Sequence, residues 1–245
     1  MSHPAVEVQG VHYRYPDGQA ALRGVSFSIQ PGETVGLIGS NGAGKSTLLL
    51  HLNGVLLPCA GQVRVQGLPV DGAHLVEVRR QVGMMFQDPD DQLFMPTVQE
   101  DVAFGPVNIG LPAAQVQARV AQALATVGAA HLADRAPYRL SGGEKRSVAL
   151  AGVLAMNPGV VVMDEPSAGL DPAARRSLIN LLASLEHTQL IATHDLDLVQ
   201  DLCSRVLVMR EGMIEADSTP DAVFADANLL ARCHLELPLG RQRQI

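Results

Sequence analysis

The chain has no tryptophan, and aromatic residues make up only 3% of its 245 positions. A core built on stacked rings is thereby excluded, which leaves Val, Leu, Ile and Ala to fill it. Cysteine is scarce too. Cys59, Cys203 and Cys233 are the three present, far apart and without CxxC or metal-ligand spacing, so a disulfide framework is not expected and ordinary thiols in a reducing compartment are. No stretch approaches the roughly 18 consecutive apolar residues of a membrane span, so any membrane role is expected to be peripheral. The opening MSHPAVEVQG lacks the basic-then-apolar pattern of a secretory signal. There is no basic run either: Lys and Arg number 18 against 25 Asp and Glu, for a net charge of -7. A nucleic-acid surface needs cations to neutralise phosphates, so no nucleic-acid partner is expected.

What is present is a globular composition, 47% hydrophobic and 18% charged, in a chain long enough to bury a substantial core. The segment AVEVQGVHYRYPDGQAALRGVSFSIQPGE alternates apolar and polar residues and is broken at Pro16-Asp17-Gly18 and Pro31-Gly32, as half-buried antiparallel strands are. TVGLIGS reads as a buried strand entering a glycine loop, with KSTLLLHLNGVL as the helix beyond. Alternation returns in GQVRVQGLPV. From about residue 95 to 157 the signals turn helical, most clearly in AAQVQARVAQALATVG, ended near Gly128. GVVVMDEP and QLIATHD read as buried parallel strands whose carboxyl ends carry polar residues, and RVLVMREGMIEAD supplies the last strands. One compact domain with a helical insertion is expected.

Gly39 to Ser46, GSNGAGKS, matches G-x-x-x-x-G-K-[ST] in its strand-then-helix context. Gly39, Ser40, Asn41, Gly42, Ala43 and Gly44 bring backbone N–H groups onto phosphate oxygens. Lys45 supplies a point charge, the Ser46 hydroxyl a Mg²⁺ ligand, and Thr47 a further donor. In VVVMDE, Asp164 stands where it can hold the magnesium shell and Glu165 where a base can orient water. A hydrolase of nucleoside triphosphates follows.

LSGGEKR, Leu140 to Arg146, reads as a second phosphate-binding helix mouth. With GSNGAGKST, LSGGE, VVVMDEPSAGLD and THD in this order, the chain resembles the ATP-binding subunits of ABC transporters over nearly its whole length. The resemblance implies an α/β fold: a P-loop, RecA-like core with an N-terminal antiparallel β subdomain and an inserted α-helical signature subdomain. It implies a nucleotide-binding domain over 1–228, its helical part about 92–157, and a short tail at 229–245. It also implies ATP and Mg²⁺ as ligands and a head-to-tail homodimer, in which Ser141, Gly142 and Gly143 of one copy reach the γ-phosphate held by the other. Tyr15 would stack on adenine, with Tyr13 a near alternative; Gln87 would sense Mg²⁺ and attacking water; Asp171 would lie between the sites; His194 would be the switch histidine. Catalysis would thus rest on Glu165, His194, Gln87 and Lys45, and the metal on Ser46, Gln87 and Asp164.

Glu144 departs from the commoner glutamine of this signature. Ser141 and Glu144 also form S-x-x-E, a capping box. FQDPDDQLFMPTVQEDVAFGPVNIGL resembles the corresponding region of energy-coupling factor ATPases, especially the cobalt and nickel type. That resemblance implies two kinds of membrane partner, a transmembrane coupling subunit (T component) and a substrate-capture subunit, with the chain peripheral to the cytoplasmic face of the cell (inner) membrane. Asp88, Asp90 and Asp91 would there meet arginines of a coupling helix. The rival is an ATPase of this family acting on nucleic acid. Such proteins carry coiled coils, zinc modules or basic arms, and none is visible here.

Overall fold

The computed structural model describes residues 3–242; the last three residues of the expected tail and the first two of the chain lie outside it. Two long strands open the chain, β1 (Val6–Arg14) and β2 (Ala20–Ile29), followed by β3 (Thr34–Ile38) and helix α1 (Lys45–Leu52). Then come β4 (Ala60–Val65), β5 (Leu68–Pro69), α2 (Leu75–Gln81) and β6 (Val82–Met85). The helical stretch holds α3 (Val98–Asn108), α4 (Ala113–Thr126) and α5 (Gly142–Ala155). The chain continues through β7 (Val160–Asp164), α6 (Pro172–Ser184), β8 (Thr188–Ala192), α7 (Leu196–Leu202), β9 (Arg205–Arg210) and β10 (Met213–Ser218). It ends with α8 (Pro220–Ala225), α9 (Ala227–Arg232) and α10 (Leu239–Gln242).

The strands form two sheets. One is antiparallel, in the order β2-β1-β4-β5; the other runs β10-β9-β3-β8-β7-β6 and is parallel except at the β9–β10 edge. Every residue of β7 is buried, because its two faces feed different cores. Val160 and Val162 pack with α1 and the antiparallel sheet, while Val161 and Met163 pack with Leu150 of α5 and with Ile179 and Leu182 of α6. Continuous apolar runs such as VVVM are what a sheet covered on both sides requires. Helices α3, α4 and α5 have a core of their own, centred on Val98, Val102, Leu124 and Val148. Thr97 and Glu100 close a capping box at the start of α3, which fixes where this unit leaves the Gln87 segment.

The expected boundary at 228/229 falls inside α9, whose Leu229 and Leu230 pack with Ile38, Val199 and Phe224. Cys203 and Cys233 are buried and Cys59 is exposed; burial pushes the Cys203 thiol up to about 12. The short elements α2 and β6 are absent from the sequence expectation, since a four-residue strand gives no usable periodicity.

Where β6 passes α5, Gly83 leaves no room: an added Cβ would lie 2.5 Å from Val153 and 2.9 Å from Pro158. Gly83→Ala is expected to destabilise the fold by about 1–3 kcal/mol through overpacking, measured as a lower urea midpoint. An unchanged midpoint would show that α5 gives way without cost.

Candidate nucleotide site

Strand β3 ends at Ile38 and α1 begins at Lys45, and the intervening loop turns on left-handed glycines. Gly42 has φ 80° and Gly44 φ 104°, conformations costly for any residue with a Cβ. A Cβ on Gly44 would also stand 2.7 Å from the Ala21 carbonyl. No side chain caps α1 at Gly44. Its first N–H groups therefore have no side-chain acceptor, and with the positive end of the helix dipole they fit an anion. Lys45 Nζ donates to the carbonyls of Gly39 at 2.8 Å and Ser40 at 3.3 Å. Burial lowers its pKa, opposed by the charges of Glu165 and Asp164.

The carboxyl ends of β3, β7 and β8 converge beside this loop. Asp164 closes β7 and is buried. Desolvation raises its pKa, although a hydrogen bond from Ser46 pulls the other way. The Ser46 and Asp164 oxygens are thus side by side, a hard donor pair suited to Mg²⁺. Glu165 turns the chain with φ 49°, a left-handed value rare outside glycine, and its N–H donates to Ala192 O at 2.8 Å. Its side chain is nearly enclosed while that of His194 is 70% exposed. Glu165 Oε2 faces three donors: Thr193 Oγ1 at 3.1 Å, the His194 N–H at 3.2 Å and His194 Nδ1 at 2.7 Å.

A cleft of about 790 Å³ gathers most of the expected residues. Tyr15, Asn41 to Thr47, Gln87, Asp164, Glu165 and His194 all line it. Gly39 and Ser40 contribute through the carbonyls that hold Lys45. Of the two tyrosines, Tyr15 lines the cleft and bonds Thr47 Oγ1 through its hydroxyl at 2.9 Å; Tyr13 packs edge-on against buried His51. Ser141, Gly143 and Asp171 are elsewhere, along a separate cleft of about 640 Å³. Gly142 lines a third groove that also reaches Ser46, Gln87 and Asp164.

The tip of α5 has the expected capping box. Ser141 Oγ accepts from the Glu144 N–H at 3.3 Å, and Glu144 Oε2 accepts from the Ser141 N–H at 2.7 Å. Those bonds hold the Glu144 carboxyl below its ordinary pKa. Asp171 caps α6, accepting from the N–H groups of Ala173 and Ala174 at 2.9 Å each.

Asp90, one of the carboxylates expected to meet a coupling helix, is paired with Lys145 of α5 at 2.5 Å while its side chain stays 62% exposed, and Asp88 accepts from the Asp90 N–H. The chain thus satisfies its own carboxylate first, because the short turn at 89–91 lies against α5. Gln92 adds a second tie, donating to Ala149 O at 2.8 Å.

Sequence reasoning also missed Asp195. Its carboxylate accepts from Arg175 Nε at 2.5 Å and Nη2 at 2.7 Å, from Ser167 Oγ at 3.0 Å and from the Leu198 N–H at 2.9 Å. The residue closes the THD motif, but no role is drawn from it there, and no spacing rule links it to Arg175. Burial opposes its ionisation, but the Arg175 pair and the two further donors win, and the carboxyl titrates below its ordinary value of 3.8. A depressed carboxyl stabilises the fold above the unfolded-state pKa and loses that contribution as pH falls through the folded one. Asp195→Asn should therefore cost about 1–3 kcal/mol at pH 7. In denaturant titrations the gap to wild type should close as pH drops below 3.8; a gap constant with pH would contradict the ion pair.

Comparison with known proteins agrees with this geometry. A protein-family model described as ABC transporter matches residues 22–168. The energy-coupling factor transporter ATP-binding protein EcfA of Methanocaldococcus jannaschii is 50% identical over 95% of this chain and 85% of its own length. Among solved structures, cbiO1 from Clostridium perfringens, part of the ABC transporter complex cbiONQ, superposes with a TM-score of 0.83 at 40% identity, covering 99% of both chains. An ATP-binding cassette solved as a dimer in a post-hydrolysis state with ADP and phosphate gives 0.79 at 27% identity over 88% of this chain and 98% of the other. This chain belongs to the ABC transporter family, as one of its ATP-binding, ATP-hydrolysing subunits, and its homologues include energy-coupling factor ATPases.

Proposed function

We propose that the chain powers uptake of a transition-metal ion through an energy-coupling factor transporter, acting as a homodimer that closes on ATP. The observation that carries this reading is the separation of the two half-sites. Ser141, Gly143 and Asp171 lie along a different cleft from Lys45, Glu165 and His194, while Gly142 shares a groove with Ser46, Gln87 and Asp164; a second copy placed head to tail would bring the Ser141–Gly143 tip onto each phosphate cleft. The similar cassette solved as a dimer with ADP and phosphate is a precedent for dimerisation.

In this reading Tyr15 stacks on adenine, and the amides of Gly39 to Thr47 with Lys45 hold the phosphates. Lys45 leaves the Gly39 and Ser40 carbonyls as it engages them. Ser46 and Asp164, with Gln87 beside them, would hold Mg²⁺, which would supply screening of the phosphate charge. Glu165 accepts the proton of attacking water, and His194 shares the hydrogen bonding of Glu165 Oε2. Ser141, Gly142 and Gly143 of a second copy meet the γ-phosphate, with Asp171 between the sites. Hydrolysis loosens this interface, and the helical subdomain, about 92–157, turns with it.

The segment from Gln87 to Phe94 carries the movement to a transmembrane coupling subunit. Exposed apolar side chains support a docking face there: Phe94 and Phe104 are 60% and 44% exposed and pack edge-to-face at 4.8 Å, with Val107 nearby in the chain and 58% exposed. Among the described residues no helix is long and apolar enough to cross a membrane, and the membrane subunits, including one that captures the substrate, would complete the transporter at the cytoplasmic face. Cobalt is the favoured cargo, on the resemblance of the stretch from Phe86 to Leu111 to the cobalt and nickel type of energy-coupling factor ATPase; nickel or a vitamin are the alternatives.

Glu165→Gln tests the chemistry. It should bind MgATP and form a dimer in light scattering, while turnover falls by at least about a hundredfold; retained hydrolysis reassigns the water-orienting role. Glu144 places a carboxylate at the α5 tip, so Glu144→Gln should tighten the ATP-dependent dimer. Unchanged dimerisation would remove any repulsive role for Glu144.

A further inference from the structure

The end of β1 and Tyr15, the residue just beyond it, meet helix α1 in a closed ring of contacts. Tyr15 Oη lies 2.9 Å from Thr47 Oγ1. The carbonyl of the same threonine accepts a hydrogen bond from His51 Nδ1 at 2.7 Å, one helical turn on. The His51 ring meets Tyr13 edge-to-face, centroids 4.8 Å apart at 78°, and Tyr13 meets Tyr15 in the same way at 5.0 Å and 86°. Threonine, histidine, tyrosine and tyrosine thus return to their starting point.

We propose that Tyr13 and His51 are positioning residues that brace Tyr15 as the adenine platform and tie that platform to the phosphate-binding helix. The proposal rests on the reading of Tyr15 as the base-stacking residue. Each contact has a directional reason. A carbonyl only accepts, so His51 donates from Nδ1, and this fixes its tautomer and ring plane. His51 is fully buried, and its other nitrogen, Nε2, is also buried and unpartnered. Such a ring would ordinarily be replaced by an apolar one of the same size, since an orphaned nitrogen costs free energy. What a leucine there would lack is the donor that orients the ring and the edge that Tyr13 packs against. Burial also lowers the pKa of His51.

Tyr15 itself is only half-buried, on the last stretch before the turn at Pro16. A half-exposed ring at a strand end samples several rotamers, and ordering it on nucleotide binding costs entropy. Two contacts set its orientation in advance: the Tyr13 edge and the Thr47 hydroxyl. Because Thr47 and His51 both belong to α1, the platform is registered against the helix whose N-terminus receives the phosphates. The distance between the base and phosphate subsites is therefore held within one rigid unit.

Binding of ADP and of inorganic pyrophosphate to the full-length chain separates the base subsite from the phosphate subsite. By titration calorimetry, Tyr13→Leu and His51→Asn should each weaken ADP about fivefold, the range of one aromatic pair, while pyrophosphate affinity stays unchanged. Tyr13→Phe, which keeps the ring, should restore wild-type ADP binding. The proposal is overturned if ADP affinity is unaffected, if both ligands weaken together, or if Tyr13→Phe behaves like Tyr13→Leu. Tyr15→Ala serves as the control on the underlying reading: equal loss of neither or both ligands there would mean that Tyr15 is not the base platform at all.

Discussion

Everything at the nucleotide cleft depends on the unpaired amides at the start of α1. The helix begins without a side-chain acceptor, and a helix end left so is stabilised by an anion or by water. The parallel strands β3, β7 and β8 then decide what stands around that end, because their carboxyl termini bring Asp164, Glu165 and His194 to the same side. Burying both faces of this sheet makes the placement rigid. The polar residues appear at the strand ends, where the apolar layers stop.

Much of this was legible in the chain itself. The glycine spacing, the apolar run before Asp164 and the S-x-x-E of the α5 tip each have a local physical cause, and local causes leave local patterns. The α/β fold and the family followed from the order of those motifs. Less legible were contacts between segments distant in sequence. Asp90 and Lys145 lie 55 positions apart, and neither type nor spacing identifies them as partners. Asp195 and Arg175 are similarly invisible until α6 and the start of α7 are placed side by side. A carboxylate in a polar turn reads the same whether it faces water, a membrane protein or a lysine of its own chain.

The inserted helices show how the molecule can be stiff and divisible together. Helices α3 and α4 enclose an apolar cluster with one face of α5, while the other face of α5, through Ala149, Leu150 and Val153, is packed into the central sheet. Their ties to the Gln87 segment are mixed: the Gln92 amide and the Asp90–Lys145 pair are polar, Leu93 and the Phe94–Phe104 contact apolar. Polar ties of this kind tolerate a change in angle better than interdigitated side chains, which are bistable rather than compliant.

The distribution of sulfur has a practical corollary. Two of the three thiols are inside the fold, one of them with its pKa raised to about 12, whereas Cys59 faces solvent at the foot of β4. A maleimide dye added to native protein would therefore couple at one place, without any engineered site, next to the strands that carry the tyrosine ring. The polypeptide brings its own spectroscopic handle.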